Sequence, residues 1–304
     1  NMFQRIRSYC LSGIHAIPVS VEVDSSLGLP GFTLVGLPDS AVRESRERVV
    51  SAVRTSGYSV TGNRTTVNLS PADLRKEGSS LDLPLAIGML LASGEFEVHQ
   101  IDRFVFLGEL SLDGLLKPVR GVLSVAMSLA EEKHSILVVP KENSQEASLV
   151  EGLYVLGVSS LLECIEELKK EIPSNLICAK GISSSLKTSY QNYPDFKNIV
   201  GMEGAKRALE IAASGNHNFL LVGSPGSGKT LCAKCLPSIL PEMSEEEIIE
   251  STRIHSCAKS IRSQHFSLIA ERPFRSPHHS ATMVSLVGGG HQLLPGEVSL
   301  AHNG

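Results

Sequence analysis

Short apolar runs alternate with amphipathic stretches along the first 170 residues. Val19–Val23, Phe32–Val35, Thr65–Leu69, Phe104–Leu107 and Ile136–Val139 are rich in β-branched and aromatic side chains and read as strands. From Ser40 the period changes to that of a helix. Ala41, Val42, Val49, Val50 and Val53 form one stripe, while Arg43, Glu44, Arg46, Glu47 and Arg48 face water. Asp39 stands where a cap belongs and Gly57 where a helix stops. A second helix is expected from Ser79 or Ser80, one of them as its cap, through Leu81, Leu85 and Leu90 to Gly94. A third should span Val122 to Lys133, and a short acidic one Leu161 to Glu171. Residues 1–171 therefore predict an α/β or α+β domain.

At Ile172 the periodicity stops. Small polar residues dominate as far as Pro194, so 172–194 reads as a linker. The remaining residues, 195–304, open with a turn and a helix and lead into the apolar run Phe219-Leu220-Leu221-Val222, expected to be a buried strand. A helix-compatible stretch follows over Leu231–Leu236, and Ser244 caps a further helix with three acids in its first turn.

Between that strand and helix lies Gly223-Ser224-Pro225-Gly226-Ser227-Gly228-Lys229-Thr230, a complete phosphate-loop motif in the strand–turn–helix context it requires. Backbone N–H groups of such a loop wrap phosphates, and the helix start adds positive potential. Lys229 would reach the β- and γ-phosphates and the Thr230 hydroxyl would hold Mg²⁺, so ATP and Mg²⁺ are the expected cofactors. A working site of this kind also needs a later strand ending in an acid, the Walker B element. Phe266–Glu271 offers one acid, but Arg272-Pro273 follows at once. No catalytic residue is assigned within the chain. The expectation is a fragment that stops just before the acidic strand and hydrolyses almost nothing alone, with Asn1 before Met2 not its natural start.

Bulk composition excludes little. Hydrophobic residues make up 42% and charged ones 20%, as in ordinary globular proteins. No apolar run approaches the ~20 residues of a membrane span, and six scattered cysteines suit reduced thiols, so a cytoplasmic protein is expected. Cys232-x-x-Cys235 lies one turn apart on the predicted phosphate-loop helix, where two small helix residues suffice as an explanation. The net charge of −4 is uneven: residues 1–171 carry 16 basic against 22 acidic side chains, residues 172–304 carry 12 against 10. Residues 251–304 hold five basic side chains, two acids and six of the ten histidines, a candidate face for an anionic partner.

Asp195–Gly201, Ala205–Ala212 and His217–Gly223 resemble the opening of the magnesium-chelatase-like AAA+ ATPases. Arg272-Pro-Phe-Arg-Ser-Pro-His-His279, Leu286–Gly290 and Pro295–Gly304 are more specific and resemble the ComM/YifB family. Ser70–Leu83 and Gly108–Gly121 resemble the Lon-protease-like, ribosomal-S5-like fold. The resemblance implies an α/β chain, in which an α+β Lon-like domain precedes part of a P-loop AAA+ domain. It further implies Ile199, Val200 and Gly201 at the adenine, a hexameric ATPase of helicase type, and DNA branch migration in recombination during competence. Arg272, Phe274, Arg275, His278 and His279 would then contact branched or single-stranded DNA near a central pore. Arg64, Arg75 and Lys76 are further candidates for phosphate contact.

Ser80 takes the place of the Lon nucleophile, but the position of its lysine base holds Leu123, which cannot accept a proton. The first domain is therefore expected to be a pseudo-peptidase. Three rivals remain: a metal-chelatase motor subunit, a serine peptidase that a probe would label at Ser80, and a scaffold whose nucleotide only sets its oligomeric state.

Overall fold

A computed structural model describes residues 2–29, 31–59, 63–132, 134–182, 193–258, 266–290 and 293–304. Its longest strands are two whose full extent the apolar runs do not reveal. β1 (Met2–Ser12) and β2 (His15–Leu27) pair antiparallel, from Met2 opposite Ser25 to Ser12 opposite His15. β1 hides its strand character because its buried residues Ile6, Ser8 and Cys10 alternate with Arg5, Arg7 and Tyr9. That alternation is a half-polar strand rather than an apolar run.

Next come β3 (Gly31–Val35), α1 (Ser40–Thr55), β4 (Asn63–Ser70), α2 (Asp82–Ser93), β5 (Phe104–Phe106), β6 (Glu109–Leu110) and β7 (Leu116–Lys117). They are followed by α3 (Val122–Leu129), β8 (Ile136–Pro140), α4 (Ser144–Ala147), β9 (Tyr154–Val158), α5 (Leu161–Leu168) and β10 (Leu176–Cys178). Eight strands form one mixed sheet in the order β10-β9-β8-β5-β1-β2-β4-β3, and β6 pairs with β7 in a hairpin. β5, β8 and β9 run parallel to β1, whereas β2 and β10 are antiparallel to their neighbours. The fold is of the mixed α/β class.

Alternate residues of the central strands feed two cores. Ile6, Val23, Val67, Phe106, Val138 and Leu156 meet α1, α2 and α5 on one face. Tyr9, Val105, Leu137, Val139 and Val155 meet α3 and α4 on the other. The helix α2 is buried all round from Asp82 to Ala92. Gly88 lets it come close, since a Cβ there would stand 2.8 Å from Val23 Cγ2 and 3.2 Å from Ile6 Cγ1. Its one charge, Asp82, receives Arg48 Nε at 2.7 Å, Arg48 Nη2 at 3.1 Å and the Leu110 N–H at 3.1 Å. Burial pushes the Asp82 carboxyl up, and Arg48 pulls it back.

The helix starts test the cap predictions. Asp39 accepts the Val42 N–H at 2.8 Å and caps α1. For α2 the expected serine cap is not there: its N-cap is Leu81, without a side-chain bond, and the Ser79 hydroxyl turns to Glu109. The chain around β5 and β6 supplies the backbone partners instead. Gly108 N–H donates to the Ser80 carbonyl at 2.9 Å, and Leu83 N–H to the Gly108 carbonyl at 3.0 Å.

The chain divides into two units. One comprises Asn1–Ser185, Ser256–Phe266 and His291–Leu294; the other comprises Leu186–His255, Ser267–Gly290 and Pro295–Gly304. Residues 183–192 of the expected linker lie outside the described residues, while Leu176–Cys178 near its start is the strand β10.

The second unit contains α6 (Glu203–Gly215), α7 (Lys229–Cys235), α9 (Met283–Val287), α10 (Glu297–Leu300), the two-residue strand β11 (Gly288–Gly289) and α8 (Glu245–Ala258) as far as His255; the division also falls within β12 (Leu294–Pro295). Ser244 and Glu247 form a reciprocal box at the start of α8: Glu247 N–H to Ser244 Oγ, 3.2 Å, and Ser244 N–H to Glu247 Oε2, 2.9 Å. The run Phe219–Val222 corrects an expectation. It forms no strand, and Leu220 and Val222 are 83% and 86% exposed. A strand exists only by pairing, and among the described residues no neighbouring strand flanks this run.

Candidate functional site

The apolar run leads directly into the phosphate loop. Gly226 (φ 79°) and Gly228 (φ 85°) take left-handed conformations open to glycine, and Gly228 is the N-cap of α7. Successive N–H groups turned inward by such residues make an anion-binding concavity. Ser224, Pro225, Gly226 and Ser227 are exposed, as is Thr230 on the first turn of α7. Lys229 Nζ folds back on its own loop, 2.8 Å from the Gly223 carbonyl, 2.6 Å from that of Ser224 and 3.1 Å from Ser227 Oγ. An ammonium on these weak acceptors is placed to exchange them for phosphate oxygens. The donor set of loop amides, one ammonium and an adjacent hydroxyl fits a nucleoside polyphosphate with its Mg²⁺.

The structure brings the Ile199–Gly201 segment onto the same helix. Ile199 is buried with Leu209, Cys232 and Cys235. Val200 is 93% exposed, and Gly201 has φ 71°. The neighbouring Met202 sulfur lies 3.8 Å from Cys232 Sγ, and a Cβ on Gly228 would stand 3.3 Å from it. Cys232 and Cys235 are thus core residues, both free and buried.

The second group of predicted residues separates into two kinds. Arg272 is turned inward. Its Nε donates to the Pro241 carbonyl at 2.6 Å, Nη1 to the Asn303 carbonyl at 2.8 Å, and Nη1 and Nη2 grip Glu247 at 3.3 and 3.2 Å. The Ser244 N–H and then the Arg272 guanidinium hold the Glu247 carboxyl below its usual range. So placed, Arg272 ties α8 to the segments at 241 and 303. Arg275 instead pairs with Glu297 alone among the described residues, Nε and Nη2 each 2.7 Å from a carboxylate oxygen. Phe274, Arg275, His278, Ser280, Ser285 and Glu297 line a cavity of about 460 Å³. His278 Nδ1 lies 2.6 Å from Ser280 Oγ, and the His278 and His279 rings are 4.0 Å apart.

Glu247 and Glu297 are the acid partners of these arginines, which the sequence reading did not single out. They meet them from 25 and 22 residues away along the chain, and the one local signal, the Ser244-x-x-Glu247 spacing, marks a helix start rather than an arginine partner.

In the first unit Leu123, expected from the Lon resemblance at the place of the lysine base, is completely buried, and its N–H donates to Glu146 Oε1 at 2.9 Å. Lys76, expected at the surface, is also completely buried and donates to the Pro71 carbonyl. Its place beside the Pro38 bridge draws it into the fold, so it cannot serve as a surface phosphate contact. Arg75 and Arg64 stay exposed. Among the described residues no helix is long and apolar enough to cross a membrane.

Residues 195–304 match the family model "Magnesium chelatase, subunit ChlI", and residues 21–143 match "Subunit ChlI of Mg-chelatase". Uncharacterized protein YifB of Escherichia coli is 42% identical over 300 residues, covering 96% of this chain and 56% of that protein. Competence protein ComM of Haemophilus influenzae is 42% identical over 292 residues, covering 96% of this chain and 57% of that protein. Lon protease 2 of Bacillus subtilis is 25% identical over 139 residues, 44% of this chain and 24% of the protease. The phosphate loop and these matches define the class: an AAA+ protein of the magnesium-chelatase type joined to a Lon-like domain. The chain belongs to the ComM/YifB family. It spans little more than half the length of the YifB and ComM proteins.

Proposed function

We propose that the chain binds ATP with Mg²⁺ and that the protein is a ring-forming, DNA-dependent ATPase. The observation that carries this is the complete loop Gly223–Thr230, with left-handed Gly226 and Gly228 opening onto α7. In this reading Lys229 releases the Gly223 and Ser224 carbonyls to hold β- and γ-phosphate oxygens. Thr230 Oγ1 ligates Mg²⁺, and Ile199, Val200 and Gly201 line the adenine. Bound Mg²⁺ neutralises charge on the phosphates.

Residues 1–171 serve as a Lon-like pseudo-peptidase module, 172–194 as linker and 195–304 as part of the motor. The assembly is a homo-oligomer, a hexamer, in the cytoplasm. Its partner is branched or single-stranded DNA moved by branch migration, a reading supported by the competence protein among the relatives. Phe274, His278 and His279 supply stacking faces and Arg275 supplies charge near the strand, whereas Arg272, expected beside it, is held inward by Glu247 and backbone carbonyls and braces the loop.

The family-model descriptions favour a second reading, a metal-chelatase motor. The Lon-like first unit counts against it.

Binding of a fluorescent ATP analogue tests the nucleotide site. Lys229→Ala removes a charged hydrogen-bond donor worth ~1.5–3 kcal/mol, so binding should weaken by about 10- to 100-fold. Equal affinity in the two proteins would sink the assignment.

A further inference from the structure

We propose that Arg275 is a latched contact for single-stranded DNA, held by Glu297 until a backbone phosphate displaces that carboxylate. The inference rests on the nucleic-acid reading of this loop. Arg275 presents Nε and Nη2 side by side, each 2.7 Å from one oxygen of Glu297. This two-pronged fork is the geometry with which a guanidinium also grips the two non-bridging oxygens of a phosphodiester. A phosphate can therefore take over the carboxylate's place without the arginine changing shape.

The contrast with Arg272 shows why one arginine is exchangeable and the other is not. The Arg272 side chain is 14% exposed and bonds the carbonyls of Pro241, Glu242 and Asn303 besides Glu247. A phosphate replacing Glu247 would still leave it anchored in the fold. Arg275 is 37% exposed and held only by Glu297 among the described residues. The pair also forms one wall of the cavity of about 460 Å³, within the size range of small-ligand sites.

The other walls suit a nucleotide. Phe274 and the His278 imidazole offer ring faces, Ser280 and Ser285 offer hydroxyls, and the His279 ring lies 4.0 Å from that of His278, beside the cavity rather than in its lining. Bases stack on such faces without regard to sequence. Arg275 holds the Glu297 carboxyl below its usual range, so at neutral pH the latch is ionised and cancels the arginine's charge. The loop is therefore close to neutral until a strand arrives.

The test is fluorescence anisotropy of the full chain with an oligo-dT strand over a range of salt. Wild type is compared with Glu297→Gln, Glu297→Ala, Arg275→Ala and the double variant Glu297→Gln/Arg275→Ala. Removing an exposed ion-pair partner frees up to ~1 kcal/mol, so Glu297→Gln should bind two- to fivefold more tightly. Its logarithmic salt slope should steepen by ~0.7, the share of one single-strand phosphate. Both gains should vanish in the double variant.

Wild-type binding that Glu297→Gln leaves unchanged or weakens would overturn the latch and leave the DNA reading standing. Binding by neither wild type nor Glu297→Gln would overturn both. If Glu297→Gln and Glu297→Ala both fail to fold, judged by circular dichroism, the pair is a structural clamp and the latch is equally overturned.

Discussion

Arg272 and Arg275 stand three positions apart in one motif, yet their surroundings give them different work. Sequence pattern marked both as basic residues in a loop. Their distinction came from acids on α8 and α10, far away in the chain, which no local pattern encodes. Lys76 makes the same point: its charge suggested the surface, and the fold closed over it.

The inward arginine carries a stability prediction. Arg272→Ala removes bonds to Glu247 and to three carbonyls and should cost the second unit about 2 kcal/mol or more, read from its urea midpoint. Glu247 is depressed on folding, so it takes up its proton less readily folded than unfolded. Its contribution is complete above the unfolded value of about 4.3 and is lost as pH falls through the lower folded value. An acid titration of wild type should show this loss, and Glu247→Gln should flatten it. A Glu247→Gln profile that follows wild type would remove the pair from the account.

Helices were the more legible elements because their signals are local. Asp39 caps α1 as the sequence indicates, and Val42, Val49 and Val53 of the expected stripe are buried; Ala41 and Val50 are half-buried, and Arg48, expected to face water, turns instead to the buried Asp82. Strands depend on partners and were less legible. β9 is a short apolar run, Tyr154-Val-Leu-Gly-Val158, interrupted by a glycine and not singled out in the sequence, yet it sits between β8 and β10. Phe219–Val222 had the pattern but has no ladder among the described residues.

A pair of substitutions separates the two cases. Asp39→Ala deletes a formed cap and should cost ~1 kcal/mol. Val222→Ser alters a side chain already 86% exposed and should stay within ~0.5 kcal/mol. Thermal melts of the chain check both. A large loss at Val222 would mean that the run is buried after all.

At the scale of the molecule, the α/β class and the Lon-like and chelatase-type resemblances were readable from motifs, and the comparisons bear the family out. The sheet order was not readable. It depends on β1 lying between β5 and β2, a pairing that joins segments about a hundred residues apart, as between Arg7 and Val105. The first unit builds a core on each face of its sheet. The second gathers a small cluster around Ile199, Leu209, Cys232 and Cys235 behind the phosphate loop. That cluster backs Lys229 and Thr230, so the proposed motor function starts from this site.

The most direct test of that function is steady-state ATP hydrolysis by the complete encoded protein, with and without branched DNA, beside Lys229→Ala. Turnover should rise several-fold with DNA and disappear in the variant. Turnover indifferent to DNA, or undiminished by Lys229→Ala, would contradict that function.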